Sequence, residues 1–325
     1  AGQTKSFQFD ACFPEDTSQE RVFEDTKNLI QSAVDGFNVC IFAYGQTGSG
    51  KTYTMTGSAS NPGIAPRAMA ELFAICERDR KKFTFSVSSY MLELYMDQLW
   101  DVLAPPAQRA NAPKLEVKKD ARGMVYVPGV TTVQANSLAD LKATFEQGLE
   151  QRHVASTRMN ADSSRSHLVF SVVIEATNLK TGVKTAGKLS LVDLAGSERV
   201  AKSEASGATL KEAQSINKSL SALGDVIAAL SSGADFIPYR NHKITMLMQD
   251  SLGGNAKTLM FVNVSPTDYN ADESANSLQY AARVKTITNN ATGIISELRG
   301  RLGEGAAAPS SAASGPAEED PDEGS

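Results

Sequence analysis

The sequence predicts an α/β fold of three layers, in which helices flank a central, mostly parallel sheet. Apolar runs typical of strands alternate along the chain with segments whose apolar residues recur every three or four positions, as on one face of a helix. The run at 38–44 is apolar almost throughout, and a glycine-rich octapeptide follows it directly. With 325 residues and 41% hydrophobic content, the chain is long enough to bury one large core.

Local patterns place each element in chain order. Ser18 and Ser137 are suited to cap helices, and Gly233 to end a long helix whose apolar stripe begins at Leu210. A turn signal at 180–182 separates two of the strands. Strands are predicted at 7–9, 38–44, 83–95, 167–177, 188–192 and 258–264. Helices are predicted at 20–34, from Thr52 through 68–77, and at 137–151, 210–232 and 272–284.

Composition divides the chain into a globular part at 1–290, a linker at 291–302 and an acidic tail at 303–325. The tail is rich in Ala, Pro, Ser and Gly and has no Lys or Arg, so we expect it to be disordered. Its acids contribute a charge of −6 to the net charge of −5, so the rest of the chain carries +1. A solvated terminus is favoured over a regulatory segment. These acids are Glu304, Glu318, Glu319, Asp320, Asp322 and Glu323.

Cysteine usage and hydropathy exclude several classes of protein. Cys12, Cys40 and Cys76 are scattered, which suits a reducing cytosol and argues against a disulfide framework or a zinc site. No apolar run approaches the roughly 20 residues that span a bilayer, and no signal peptide is visible. The chain begins with Ala instead of Met, which is typical of a fragment.

The octapeptide at 45–52 fits the pattern G-x-x-x-x-G-K-[ST] of a phosphate-binding loop, and it lies between a predicted strand and a predicted helix. Its glycines let backbone N–H groups turn towards phosphate oxygens. Lys51 supplies a charge for the β- and γ-phosphates, and the Thr52 hydroxyl is placed for Mg²⁺. The candidate nucleotide-binding residues are Gly45, Gln46, Thr47, Gly48, Ser49, Gly50, Lys51 and Thr52.

Two further segments narrow the type of nucleotide site. Residues 160–167 (Asn-Ala-Asp-Ser-Ser-Arg-Ser-His) precede a strand, and 193–199 (Asp-Leu-Ala-Gly-Ser-Glu-Arg) follow one. An acid after an apolar strand suits the second Mg²⁺ position, so Asp193 is expected to reach the ion through water. Gly196 can offer a backbone N–H to a γ-phosphate, as switch loops do. Either segment alone is weak evidence for a nucleotide site with switch loops, whereas the two in this order after a phosphate loop are strong evidence for one.

At these residues the chain resembles the kinesin motor domain, over roughly 7–288. The resemblance implies a P-loop fold of the kinesin type, which hydrolyses ATP with Mg²⁺ and moves on microtubules of the cytoplasmic cytoskeleton. The same resemblance makes 1–290 the motor domain and 291–302 a neck-like segment. The matching motifs are 44–52, 160–167, 193–198, 216–224, 237–243 and 250–255.

The resemblance also implies catalytic roles. Ser163 and Ser164 would contact the γ-phosphate, Mg²⁺ and the attacking water, with Ser164 among the metal ligands. Arg165 and Glu198 would form the salt bridge that closes the two switch loops. Glu198 would also accept the proton of the attacking water through a water chain, as a general base. An ordinary surface ion pair between Arg165 and Glu198 is the alternative, and it would contribute little.

The microtubule contacts implied by the resemblance are basic residues, since the surface and tails of tubulin are acidic. Such contacts are electrostatic and should weaken with salt. Solvated surface charges without a partner are the alternative for each residue. The candidates are Lys118, Lys119, Arg122, Lys202, Arg240, His242 and Lys243.

Within the family, segments 24–26, 31–40, 243–248 and 281–287 resemble the minus-end-directed branch with C-terminal motors. Within that branch they resemble a plant and algal subgroup that binds calmodulin. The resemblance therefore implies calmodulin or another calcium regulator as a partner of regions outside this chain. The chain itself has no basic amphipathic helix suited to calmodulin. The first strand of the family, expected before residue 7, is absent from the sequence, which favours a partial chain.

Two other functions stay open at this point. A small-molecule kinase would explain the loop at 45–52 but neither switch segment. A nucleotide-insensitive microtubule adaptor would keep the basic face with an inert pocket, yet Lys51, Thr52, Arg165 and Glu198 are all intact. Nucleic acid and membranes are not predicted as partners.

Overall fold

A seven-stranded sheet forms the centre of the computed structural model, which describes residues 4–109, 114–120, 123–159, 163–199, 208–253 and 256–287. The strands are β1 Asn38–Tyr44, β2 Phe83–Tyr95, β3 Gln98–Asp101, β4 Lys118–Lys119, β5 Val125–Tyr126, β6 Val133–Ala135, β7 His167–Asn178, β8 Lys184–Asp193 and β9 Lys257–Val262. The helices are α1 Gln19–Glu24, α2 Lys27–Val34, α3 Lys51–Met55, α4 Ile64–Asp79, α5 Pro106–Arg109, α6 Leu138–Met159, α7 Ala208–Ser231, α8 Lys243–Leu247, α9 Gln249–Leu252 and α10 Ala271–Val284. A separate two-stranded sheet pairs β4 with β5.

The central sheet is mixed, so the predicted mostly parallel sheet was wrong in that respect. The strand order is β3-β2-β7-β8-β1-β9, with β6 also paired to β2. Only the pairs of β1 with β8 and with β9 are parallel, whereas β2, β3, β6, β7 and β8 pair antiparallel with one another where they meet. The turn near Gly182, whose φ is +69°, is too short for the crossover that parallel strands need.

Helices cover both faces of the sheet, which confirms the three-layer α/β fold. Neighbouring residues of β1 point to opposite faces, so Ile41 belongs to one core cluster and Phe42 to the other. The first cluster includes side chains of α2, α4 and α6, and the second includes side chains of α7, α8, α9 and α10. Because β1 is buried on both faces, its continuous apolar run is explained.

Several local predictions hold and others fail. Ser18 and Ser137 cap α1 and α6 by accepting backbone N–H bonds, and Gly233 follows α7 with a φ of +66°. The predicted strand at 7–9 is not formed, because these residues belong to no strand or helix of the described structure. The single helix expected at 20–34 is split, because the buried Thr26 hydroxyl bonds the Phe23 carbonyl at 2.7 Å between α1 and α2.

The sheet brings two loops to one edge. In the parallel pair of β1 and β8, Ala43 lies opposite Asp193, so both strands end side by side. At the other side of β1, β9 has no second strand partner among the described residues, and all six of its residues are half-buried. The predicted linker and acidic tail lie outside the described residues. Among the described helices, none is long and apolar enough to cross a membrane.

Candidate functional site

The phosphate-binding loop connects the end of β1 to the start of α3, as the sequence predicts. Gly50 precedes α3 with a φ of +97°, a left-handed conformation that glycine adopts without strain. Gly45 has a φ of +151°, and any Cβ at this position would collide with the carbonyl of Asn263. The loop therefore packs closely against the segment that follows β9.

Lys51 is buried in the loop, with only 6% of its surface exposed. Its Nζ donates to the carbonyl of Gln46 at 2.9 Å. Burial lowers the pKa of Lys51, although the negative charges of Asp193 and Glu198 act in the opposite direction. The ammonium is thus held at the loop as a largely desolvated charge, which suits binding of phosphate oxygens.

The candidate metal-binding residues Thr52 and Asp193 are in direct contact. The Thr52 hydroxyl donates to Asp193 Oδ2 at 2.8 Å, and Arg152 Nη1 lies 3.5 Å from the same oxygen. Asp193 is buried, and its Oδ1 has no hydrogen-bond partner among the described residues. A hydroxyl and a carboxylate with a free oxygen fit Mg²⁺, which prefers oxygen ligands and keeps several waters.

The segment after β8 bridges the phosphate loop and the segment before β7. Ser197 N donates to the Gly45 carbonyl at 3.0 Å, and Gly196 N donates to the Ser164 carbonyl at 2.8 Å. A Cβ on Gly196 would collide with the side-chain oxygens of Thr47 and Glu198, so any larger residue would have to displace these side chains. The structure therefore brings Ser164 and Gly196 together, and the Gly196 N–H that was expected to face a γ-phosphate is bonded to Ser164 here. The side chain of Ser163 lies outside what is described.

Arg165 and Glu198 do not form the predicted salt bridge in this structure. Glu198 accepts two hydrogen bonds from Thr47, at 2.8 Å from the backbone N–H and at 2.6 Å from the hydroxyl. Arg165 instead pairs with Glu212 of α7, and Glu212 also accepts from Tyr95 at 2.5 Å. Glu198 is thus bonded to Thr47 and Arg165 to Glu212, two pairings that the sequence did not predict.

Glu212 is a functional candidate that sequence reasoning missed. It is only 7% exposed, and burial of a carboxylate is costly unless it is paired and hydrogen-bonded. Arg165 and Tyr95 supply both partners. The only sign of Glu212 in the sequence was an acid near the start of the long apolar helix. Solvated helix faces commonly contain such acids, so this sign did not indicate burial or a partner.

His167 links three elements of the site. Its Nδ1 accepts from Ala195 N at 3.0 Å, so the proton is on Nε2, which lies 2.7 Å from the Ser219 hydroxyl of α7. Burial lowers the pKa of His167 to about 3, helped by the positive charges of neighbouring groups. The neutral imidazole is therefore a fixed connection between the loop after β8 and α7.

The depressed pKa of His167 predicts a pH dependence of stability. Its neutral form is favoured in the folded state, so stability is complete above the unfolded pKa of about 6.5 and falls as the pH decreases below that value. We expect this residue to contribute a slope of about 1.4 kcal/mol per pH unit between pH 6 and pH 5. Urea unfolding of the wild type and His167→Asn would measure it; equal pH slopes in the two proteins would contradict it.

The candidate microtubule-binding residues divide into accessible and buried ones. Lys118 and Lys119 are exposed on β4, and Arg240 is exposed in the short 3-10 turn Tyr239–Asn241. Lys243 is partly exposed at the start of α8. Arg122 and Lys202 lie outside the described residues. These four side chains are therefore accessible to a partner.

His242 is buried, which departs from the predicted surface contact. Its Nδ1 accepts from Ile244 N at 3.2 Å and caps α8, so the Nε2–H donates to Asp97 at 2.8 Å. Its side chain is 4% exposed. The position of His242 between two basic residues predicts exposure, but both of its ring nitrogens form hydrogen bonds inside the protein. His242 therefore shapes the basic segment without facing a partner.

Comparison with known proteins places these features in a family. The family model described as the kinesin motor domain matches residues 1–287. The chain is 63% identical over 282 residues to the kinesin-like protein KIN-14E of Arabidopsis thaliana, covering 87% of this chain and 22% of that protein. It is 60% identical over 288 residues to KIN-14I of Oryza sativa subsp. japonica, covering 89% and 23%. The chain thus spans less than a quarter of the length of these curated relatives.

Solved structures agree with the sequence relatives. A structure described as that of a fast kinesin has a TM-score of 0.82 at 39% identity, covering 89% of this chain and 82% of that chain. A C-terminal motor domain of Kar3Vik1 has a TM-score of 0.78 at 40% identity, covering 87% and 73%. The family model, the relatives and the structures agree, and the chain belongs to the kinesin motor domain family.

Proposed function

We propose that this domain hydrolyses ATP to ADP and phosphate and uses the reaction to move along microtubules towards the minus end. The observation that carries the proposal is the contact between the phosphate loop, the Thr52–Asp193 pair and the loop after β8. A pocket that binds nucleotide and also reaches α7 through two side chains suits a motor better than a metabolite kinase.

The pocket residues would divide the chemistry among them. The loop N–H groups and Lys51 would bind the phosphates, and Thr52, Ser164 and Asp193 would hold Mg²⁺, the last of them through water. Mg²⁺ would neutralise charge on the phosphate oxygens. The roles that remain for the protein are positioning and charge stabilisation, which dominate phosphoryl transfer.

Glu198 would accept the proton of the attacking water, directly or through a water chain. To do so it must leave Thr47, and to form the switch bridge Arg165 must leave Glu212. The two exchanges are linked, since Glu198 and Arg165 would each become the new partner of the other. This exchange explains why the bridge expected from the sequence can be part of the cycle and still be absent from one structure.

The same exchange would carry a signal to the track-binding helix. Arg165 is tied to α7 by Glu212, and His167 is tied to it by Ser219. A change in the position of either switch segment therefore alters contacts of α7. The exposed Lys118, Lys119, Arg240 and the partly exposed Lys243 would bind the acidic microtubule surface, and the molecule would be located on microtubules.

The minus-end direction rests on the similarity to the KIN-14 relatives and to the C-terminal motor of Kar3Vik1. The calmodulin or other calcium-regulated partner implied by the subgroup is assigned to regions outside this chain. A nucleotide-insensitive adaptor is not favoured, because the phosphate loop, Lys51 and the Thr52–Asp193 pair are intact and assembled.

The test is the ATPase rate as a function of microtubule concentration, followed by gliding of polarity-marked microtubules over the complete protein. We expect microtubules to raise the rate by at least tenfold and the surface to drive movement towards the minus end. Stimulation by a metabolite instead would support a kinase, and microtubule binding of equal strength with ATP, ADP or no nucleotide would support an adaptor. Plus-end movement would overturn the direction alone.

A further inference from the structure

The turn between β2 and β3 has an unfavourable backbone. Tyr95 pairs with Gln98, so Met96 and Asp97 form a two-residue hairpin loop with φ values of +49° and +59°. These are the only non-glycine residues with positive φ in the described parts of the chain. Such loops favour Asn-Gly or Asp-Gly, and a methionine at positive φ is strained. Strain of this kind persists only where surrounding contacts hold it.

The contacts that hold this turn come from two other elements. Asp97 Oδ1 accepts from the Ser215 hydroxyl of α7 at 3.1 Å and from His242 Nε2 at 2.8 Å. Asp97 Oδ2 accepts from Lys218 Nζ of α7 at 2.6 Å. Burial opposes ionisation of Asp97, but the hydrogen bonds from Lys218, His242 and Ser215 outweigh it and lower its pKa to about 2. The carboxylate is therefore charged at any working pH.

The position of this carboxylate relates it to the basic surface. His242 lies in the chain between Arg240 and Lys243 and caps α8, while Ser215 and Lys218 lie on α7. One side chain thus joins the long helix to the short segment that carries two of the candidate track contacts. Electrostatics alone gives no reason for an acid here, since it neutralises Lys218 on a face that would meet an acidic partner.

We infer that Asp97 is a positioning residue for track binding, which holds the Arg240–Lys243 segment in a fixed place against α7. The inference rests on the proposed function, because the segment matters only if its cations bind microtubules. In the described structure Asp97 bonds to none of the candidate nucleotide-binding residues, and it is not itself a track contact. It acts through His242, Ser215 and Lys218.

The experiment compares three variants of the motor protein by their microtubule affinity, basal ATPase rate and maximal stimulated rate. Asp97→Asn keeps the shape and removes the charge, whereas Asp97→Gly also relieves the left-handed strain and so protects the fold. Asp225→Asn, at an exposed acid of α7, is the matched control for a change of charge. We expect both Asp97 variants to need about fivefold to tenfold more microtubules for half-maximal ATPase, which is the effect of losing charge-assisted bonds.

The basal rate and the maximal rate should stay within twofold of wild type, which separates positioning from damage to the pocket. Hydrogen exchange without microtubules should increase at 240–247 in both Asp97 variants and not in Asp225→Asn. Unchanged or tighter microtubule binding by Asp97→Asn, the result expected from its charge alone, would overturn the inference. If the wild type itself fails to bind microtubules, the proposed function is wrong. If the wild type binds and the Asp97 variants bind equally well, only the inference about Asp97 is wrong.

Discussion

Replacing Glu198 by glutamine is expected to lower the maximal ATP turnover by a factor of about 10² to 10⁴, the usual contribution of a general base. Nucleotide binding should change by no more than a few-fold, because the phosphates would be held by the loop, Lys51 and the metal-binding residues. Glutamine keeps one oxygen to accept from Thr47, so the loop geometry is preserved. Steady-state ATPase with microtubules and equilibrium binding of a fluorescent ATP analogue would measure the two effects.

The matched control is Glu175→Gln, the same change at an exposed position of β7. It should leave both measurements as in the wild type. If Glu198→Gln turns over ATP at the wild-type rate, Glu198 is not the base. A loss of analogue binding as large as the loss of turnover would instead assign Glu198 to holding the phosphate loop through Thr47.

The second large effect concerns the buried ion pair between Lys188 of β8 and Asp250 of α9. Lys188 Nζ lies 2.5 Å from Asp250 Oδ2, and the two side chains are 3% and 1% exposed. Lys188→Met would leave Asp250 buried and uncompensated, so we expect the free energy of unfolding to fall by about 3–5 kcal/mol. Asp250 also accepts from Val125 N at 2.7 Å, which anchors the β4–β5 hairpin that carries Lys118 and Lys119. Urea denaturation would measure the loss.

Two comparisons make this prediction specific. Adding Asp250→Leu to Lys188→Met removes the stranded charge and should recover part of the lost stability, since an apolar pair often replaces a buried ion pair, while the Val125 N–H loses its acceptor. Arg80→Met breaks the exposed pair with Glu77, in which both side chains are 66% exposed, and should have little effect. Equal effects of Lys188→Met and Arg80→Met would show that burial of the pair does not matter.

The sequence predicts best what is determined locally. The continuous apolar run of β1, the phosphate loop after it and the caps at Ser18 and Ser137 depend on neighbouring residues, and the structure agrees with each. The contact of Thr52 with Asp193 was predictable in kind, because a loop after one strand and an acid after another meet when the strands are parallel.

What the sequence did not predict depends on distant partners. Glu212 is 47 residues from Arg165, and Asp97 is 145 residues from His242, so no spacing rule connects either pair. The direction of β7 and β8 was available from the turn at 180–182, since a tight turn requires antiparallel strands. Assigning a mostly parallel sheet gave too much weight to the alternation of strands and helices. His242 is buried because it caps α8, whereas its place in the sequence between Arg240 and Lys243 suggests an exposed basic residue.

The half-buried strand β9 has a consequence for handling the protein. Its edge away from β1 presents backbone N–H and C=O groups along Lys257–Val262, a stretch that is mostly apolar and contains no proline. An edge of this kind is a template on which another extended segment can add by hydrogen bonding. A further strand that pairs with this edge would extend the sheet. If the edge is unpaired at high protein concentration, it would favour self-association through intermolecular β-pairing. Preparations of the protein are therefore best kept dilute.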